Sequence, residues 1–158
     1  MTERLHVPIP LRWGDLDANN HVNNTSMLRL LEEARIRAFW RPEKGETAPA
    51  TAVLGLEASR SLASVIARQE IEYLRSVPYH RDPLDVQLWI GRLGGSSLEV
   101  CYEVFSPLGD AEQVLYARST AVVVVVDAEA GTPVRLPAEL RAAWAPLVGE
   151  PIVYTRGR

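Results

Sequence analysis

Apolar and polar positions alternate from the fifth residue: Leu5, Val7, Ile9, Leu11 and Trp13 stand against His6, Pro8, Pro10 and Arg12. That period of two predicts a half-buried strand over 5–13. Pro8 and Pro10 share one parity and donate no ladder hydrogen bond, so the strand belongs at a sheet edge. Residues 14–20 (Gly-Asp-Leu-Asp-Ala-Asn-Asn) are turn formers and predict a loop. From 24 to 40 the period becomes helical. Met27, Leu30, Leu31, Ala34 and Ala38 make one face, and Arg29, Glu33 and Arg37 make a polar stripe at i, i+4 spacing. Asn23 or Asn24 serves as N-cap, and Ile36, Phe39 and Trp40 widen the apolar surface, which predicts a mostly buried helix.

Beyond the polar segment 41–49 the pattern is that of strands. A weak one is predicted at 51–57 and a longer one at 64–74, where Gln69, Ile71 and Tyr73 alternate with Arg68, Glu70 and Glu72. Two clean ones follow. Leu84, Val86, Leu88 and Ile90 share one face, as do Leu98, Val100, Tyr102 and Val104, and Gly94-Gly95-Ser96-Ser97 turns between them. The last strand, 113–126, ends in five valines, which suggests cover on both faces. Pro137 then opens a short helix carrying Leu140, Trp144 and Leu147 on one side. One strand, one long apolar helix, a run of antiparallel strands and a terminal helix make an α+β layout, with a curved sheet around the helix.

Length and composition narrow the picture. A chain of 158 residues suits one domain, read here as 1–150 with 151–158 as a C-terminal tail. With 47% hydrophobic and 23% charged residues it has the makings of a core without staples. A net charge of −3 without a basic stripe argues against nucleic acid as partner. No apolar run approaches the ~20 residues of a membrane span, and the first residues lack the apolar stretch of a signal peptide. The single Cys101 excludes an internal disulfide, reads as a packing residue and fits a reducing compartment, so the expected location is cytoplasmic. His6, His21 and His80 are too dispersed for a metal site. Asp15, Asp17 and His21 could gather on one loop, but a hard cation needs more oxygens than these supply. No metal and no cofactor is expected.

The stretch Arg12-Trp13-Gly14-Asp15-Leu16-Asp17, then His21-Val22-Asn23-Asn24, then Glu32-Glu33-Ala34-Arg35, resembles the hot-dog fold thioesterase superfamily. The similarity is to its 4-hydroxybenzoyl-CoA thioesterase and acyl-CoA thioesterase branch. It continues through Ile71-Glu72-Tyr73-Leu74-Arg75, the turn at 95–97, the valine run ending in Asp127, and Leu136-Pro137. The resemblance implies a hot-dog fold, hydrolysis of an acyl-CoA thioester to a free acid and coenzyme A, and Asp17 as the reacting carboxylate. Two positions depart from the pattern. Asn20 stands where the family usually has glycine before the histidine, and Met27 where a tyrosine is common in the first helical turn.

Chemistry gives these residues roles. A helix N-terminus presents unpaired N–H groups and the positive end of a dipole, so the backbone N–H of Asn24 can stabilise the oxyanion of a thioester under attack. Asp17, on the loop entering that helix, either attacks the carbonyl to give a mixed anhydride or activates a water. Asp15 is read as fixing the loop. His21 holds the loop, touches the substrate carbonyl or tunes Asp17. Asn23 bonds substrate or caps the helix, and Ser97 resembles a position facing the cleft. Arg75, Arg92, Arg118 and Arg135 are candidates for coenzyme A phosphates.

A single hot-dog unit leaves a sheet edge exposed. The family pairs two units with the active site between them, which implies a homodimer or a homotetramer. Acyl carrier protein is a second possible thioester carrier. Two other functions compete: a non-catalytic module that binds acyl-CoA, and a hot-dog dehydratase or hydratase, whose acid/base pairs are spaced differently.

Overall fold

The computed structural model describes residues 2–55 and 60–155 of the chain. Strand β1 (Leu5–Ile9) leads to helix α1 (Asn24–Phe39), followed by β2 (Leu62–Tyr73), β3 (Leu84–Leu93), β4 (Ser97–Phe105), β5 (Leu115–Asp127) and a short helix α2 (Ala138–Trp144). The five strands form one antiparallel sheet in the order β1-β3-β4-β5-β2. Both strands beside α1 in the chain therefore lie at edges, β1 at one and β2 at the other.

The helix lies on the sheet because its pattern leaves it no alternative. Met27, Leu30, Leu31, Ala34 and Ala38 are all buried, and the two alanines let the helix backbone come close. They meet Leu84, Val86, Leu88 and Ile90 of β3, Leu98, Val100, Tyr102 and Val104 of β4, and Ala117, Ala121, Val123 and Val125 of β5 in one core. Burying each large aliphatic chain contributes about 1.5–3 kcal/mol. Trp144 of α2 closes the far end, edge-on to Phe39, with its indole N–H donated to the Thr51 carbonyl.

Three expectations change. The first strand stops at Ile9, and Trp13 starts a one-turn 3-10 helix over Trp13–Asp15 with its ring 72% exposed. The cause is local: the Asp15 carboxylate takes the backbone N–H of Arg12 and curls the chain. Residues 51–55 form no strand; Leu54 makes one isolated bridge to Trp40, and 56–57 lie outside the described residues. Ile36 stays 41% exposed, on the flank beside β1. The C-terminal segment packs across the outer face of the sheet as far as residue 155. The Trp89 indole donates to the Glu150 carbonyl, Arg118 to that of Val153, and the Tyr154 hydroxyl bonds Thr120 Oγ1. Cys101 is fully buried beneath that segment, and burial pushes its thiol pKa up.

Candidate active site

The loop between β1 and α1 is shaped by two aspartates with different tasks. Asp15 is buried, and both its oxygens are engaged by Arg12: Oδ2 by the backbone N–H at 2.7 Å, Oδ1 by the guanidinium at 3.0 Å. That partnership raises the Arg12 pKa. The Asp15 carbonyl also accepts from the backbone N–H of Asn23, so it ties the loop's start to the helix cap.

Asp17 sits half-buried in a tight turn. Its N–H donates to the His21 carbonyl at 2.9 Å, and its own carbonyl accepts from the Asn20 N–H at 3.0 Å. Asn20 adopts φ 60°, the left-handed conformation that asparagine tolerates better than most residues. The side chain uses one oxygen to hold this turn, Oδ1 accepting from Asn19 N at 2.8 Å and His21 N at 3.4 Å. Oδ2 has no donor among the described residues.

Asn23 is the N-cap of α1, its Oδ1 accepting from Thr25 N at 2.9 Å. Asn24 is the first helical residue, and its N–H meets no acceptor among the described residues. The mouth of the helix is thus capped on one side and open on the other.

These groups share one cavity of about 430 Å³, lined by Asp17, His21 and Asn24, by Met27 one turn into the helix, and by Tyr73 and Arg75 at the end of β2. Its far wall is the segment after β2, where the Val22 N–H donates to the Val77 carbonyl and His21 bridges Pro78. The Tyr73 hydroxyl reaches the Asn24 carbonyl at 3.4 Å, and desolvation raises its pKa, keeping it a neutral phenol. The His21 ring has no hydrogen-bond partner among the described residues and stays available to the cavity.

The structure brings Asp17, His21 and Asn24 together, with Asn23 behind them as cap. It does not bring Ser97 to them. Ser97 opens β4, seven residues before Val104, whose neighbour Ala117 pairs with Tyr73. That is roughly 23 Å along the strand from the mouth. Of the four candidate arginines, Arg75 lines the cavity, while Arg118 lies on the opposite face of the sheet. Tyr73 and Ser76 belong to the wall, and sequence reasoning assigns neither a role there; the signal that could have found them is the resembling run 71–75, which contains Tyr73 and directly precedes Ser76.

Comparison with known proteins places this geometry. The model of the thioesterase-like superfamily matches residues 11–144. Solved structures share the fold. A Pseudomonas aeruginosa protein proposed to be a thioesterase is 30% identical, covers 90% of this chain and 97% of its own, and superposes with a TM-score of 0.66. A predicted thioesterase from Bacillus stearothermophilus is 23% identical over 94% of this chain and 99% of its own, with a TM-score of 0.70. The DHNA-CoA thioesterase of Staphylococcus aureus is 15% identical over 90% of this chain and 89% of its own, with a TM-score of 0.69. No match is found among curated proteins. The sheet order and the helix lying on its concave side are the hot-dog arrangement.

Proposed function

We propose that this chain, which belongs to the thioesterase-like superfamily, hydrolyses acyl-CoA thioesters in the cytoplasm, with Asp17 as the reacting carboxylate. The observation that carries the reading is the shared cavity: a carboxylate oxygen without a donor and an N–H without an acceptor among the described residues line the same space. An electrophilic carbonyl fits between two such groups. Its oxygen turns to the Asn24 N–H and the positive end of α1, where negative charge developing in the transition state is stabilised. Asp17 Oδ2 takes a proton from a water that attacks the carbonyl carbon, or attacks that carbon itself and forms an anhydride that water then opens. In either route the carbon–sulfur bond breaks, and the sulfur leaves as the thiol of coenzyme A.

The remaining residues support this centre. Asn23 holds the helix mouth open by capping it from the other side, and its amide nitrogen remains for the thioester. His21 faces the cavity beside Asp17. Arg75 at the rim suits a phosphate of coenzyme A. Ser97 can reach a thioester only across an assembly, from a partner protomer.

Such an assembly is part of the proposal. Strand β2 is an unprotected edge with Val65 and Ile66 exposed, so pairing two β2 edges into a homodimer would cover it and close the cavity's open side. A homotetramer of two such pairs is compatible with the same site. An acyl carrier protein could present the same thioester, since the reacting groups are unchanged.

The test is an acyl-CoA panel with thiol detection on the wild type and Asp17→Asn. We expect turnover to fall at least ~10²-fold while the circular dichroism spectrum and particle mass stay unchanged. Equal turnover in both proteins removes Asp17 from the chemistry. Absence of thiol release from any substrate favours the binding module, and a change in enoyl absorbance without thiol release favours the hydratase.

A further inference from the structure

Deeper along α1 than the proposed active site, a buried cation stands against the sheet. Asn24, Leu28, Leu31 and Arg35 recur at i, i+4, i+7 and i+11, so they form one stripe along the helix. Arg35 is 92% buried at the end of that stripe, being only 8% exposed. Its guanidinium has five N–H donors and no acceptor capacity, yet its one hydrogen bond among the described residues is Nη1 to the Tyr102 hydroxyl at 3.1 Å. No carboxylate of the described residues lies within ion-pair distance of it.

Tyr102 does not supply the missing charge. It is fully buried, and desolvation raises its pKa although Arg35 opposes the shift, so it stays a neutral phenol. Its own O–H has no acceptor among the described residues. A third donor stands on the same side of the sheet. Gln69 of β2 pairs with Ala121, itself paired with Val100, one row from the row of Ile71, Ser119 and Tyr102. The Gln69 amide nitrogen is buried without a partner among the described residues. Small residues, Ser119 and Ala121, stand between Gln69 and β4.

Buried cations are ordinarily paired, because a lone charge out of water is costly. Three polar groups with donors to spare and no anion among them describe the complement of an oxyanion. Two paths along the chain give its depth independently. Arg35 is eight residues beyond Met27 on the helix, ~12 Å; Gln69 is four residues from Tyr73 on the strand, ~13 Å. Both Met27 and Tyr73 line the cavity that holds Asp17.

We infer that Arg35, Tyr102 and Gln69 form a recognition site for a carboxylate at the far end of the acyl chain, so that the protein prefers acyl groups carrying a distal carboxylate over plain chains of equal length. This names the substrate class of the site described above and rests on that reading for its catalytic meaning. The binding itself is tested without catalysis. Non-hydrolysable thioether analogues of coenzyme A, with an ω-carboxyalkyl chain or the plain alkyl chain of the same length, are titrated into the full-length protein by calorimetry over graded chain lengths. The wild type should bind the carboxyl-ended analogue at least about tenfold more tightly at the length matching this depth. Arg35→Met should abolish that difference while changing affinity for the plain chain by less than about threefold.

Equal binding of the two analogues by the wild type at every length overturns the inference. So does an Arg35→Met protein that loses both affinities equally, or that binds both alike and changes particle mass, since a partner chain's carboxylate is then the acceptor. Should that variant fail to fold, Gln69→Leu removes an amide rather than a charge; reduced discrimination supports the site, and discrimination equal to wild type overturns it. The two readings fail separately. Turnover without discrimination removes the carboxylate site and keeps the hydrolase, whereas discrimination without turnover does the reverse.

Discussion

Two grooves flank the central helix, and the larger is the less informative. Between α1 and β1 lies a space of about 670 Å³, bounded by Ile36, Trp40 and the segment 41–49. Glu33, Arg37 and His6 are matched there: the Arg37 guanidinium donates to Glu33 at 2.9 Å and to the Pro8 carbonyl at 3.1 Å, and His6 pairs with buried Asp85 at 2.9 Å. Between α1 and β2 the open cavity is only about 430 Å³, but Asp17 Oδ2 and the Asn24 N–H at it, and the Arg35 and Gln69 donors deeper along the same elements, lack counterparts among the described residues. Volume measures how loosely elements meet. Unmatched polarity measures what a ligand must bring, and that separates a site from a gap.

The sheet edges repeat the contrast. Strand β1 has five residues and carries Pro8, which leaves little ladder for another strand to join. Strand β2 has twelve residues, with Val65 and Ile66 exposed beside an irregularity at Arg68. The sharpest way to break this comparison is to charge each edge in turn. Ile66→Lys should shift the assembly toward monomer in sedimentation velocity and lower turnover at least about tenfold, because the cavity loses its cover. Pro8→Lys should leave both unchanged. Equal responses would show that β2 has no special part in assembly.

Next in size comes the contrast between the two aspartates. Removing the Asp15 carboxylate by Asp15→Ala strands the Arg12 N–H and undoes the turn, so thermal unfolding should drop by about 2–4 kcal/mol. Asp17→Asn should barely move the same melting curve, since one side-chain oxygen can still accept from Asn19 N. If Asp17 proves the more destabilising, its place is structural and the site assignment weakens.

These residues also show how much the chain could reveal unaided. Local period gave the helix face and the run of strands, because each depends on which side of an element is buried, and Pro8 and Pro10, which donate no ladder bond, gave β1 its edge. The end of β1 was hidden: alternation continues through Trp13, while a hydrogen bond from Arg12 N to Asp15 stops the strand. Asp17, His21 and Asn24 were legible as a motif on one loop. Ser97 was assigned to the same cleft by resemblance, and within the protomer the strand carries it to the opposite end. The Arg35, Tyr102 and Gln69 grouping could not be read at all. Its members come from α1, β4 and β2, and what marks them is an absence of partners that only the folded chain exposes.

The smallest effects test the two helix flanks directly. Asn23→Ala removes the cap bond to Thr25 N at the helix mouth, and should cost about 1 kcal/mol in unfolding free energy. The same change loosens the first turn that presents the Asn24 N–H, so kcat should fall by more than the stability loss alone explains, with KM little altered. On the other flank, Arg37→Ala deletes an exposed pair with Glu33 and should cost about 0.3–0.5 kcal/mol and leave kcat untouched. What separates the two variants is the role of the lost bond. Both remove hydrogen bonds at the surface of one helix, and only one of those bonds shapes a donor that a substrate would use. A kcat that follows stability equally in both would mean that the helix mouth supports the fold and contributes nothing to the reaction.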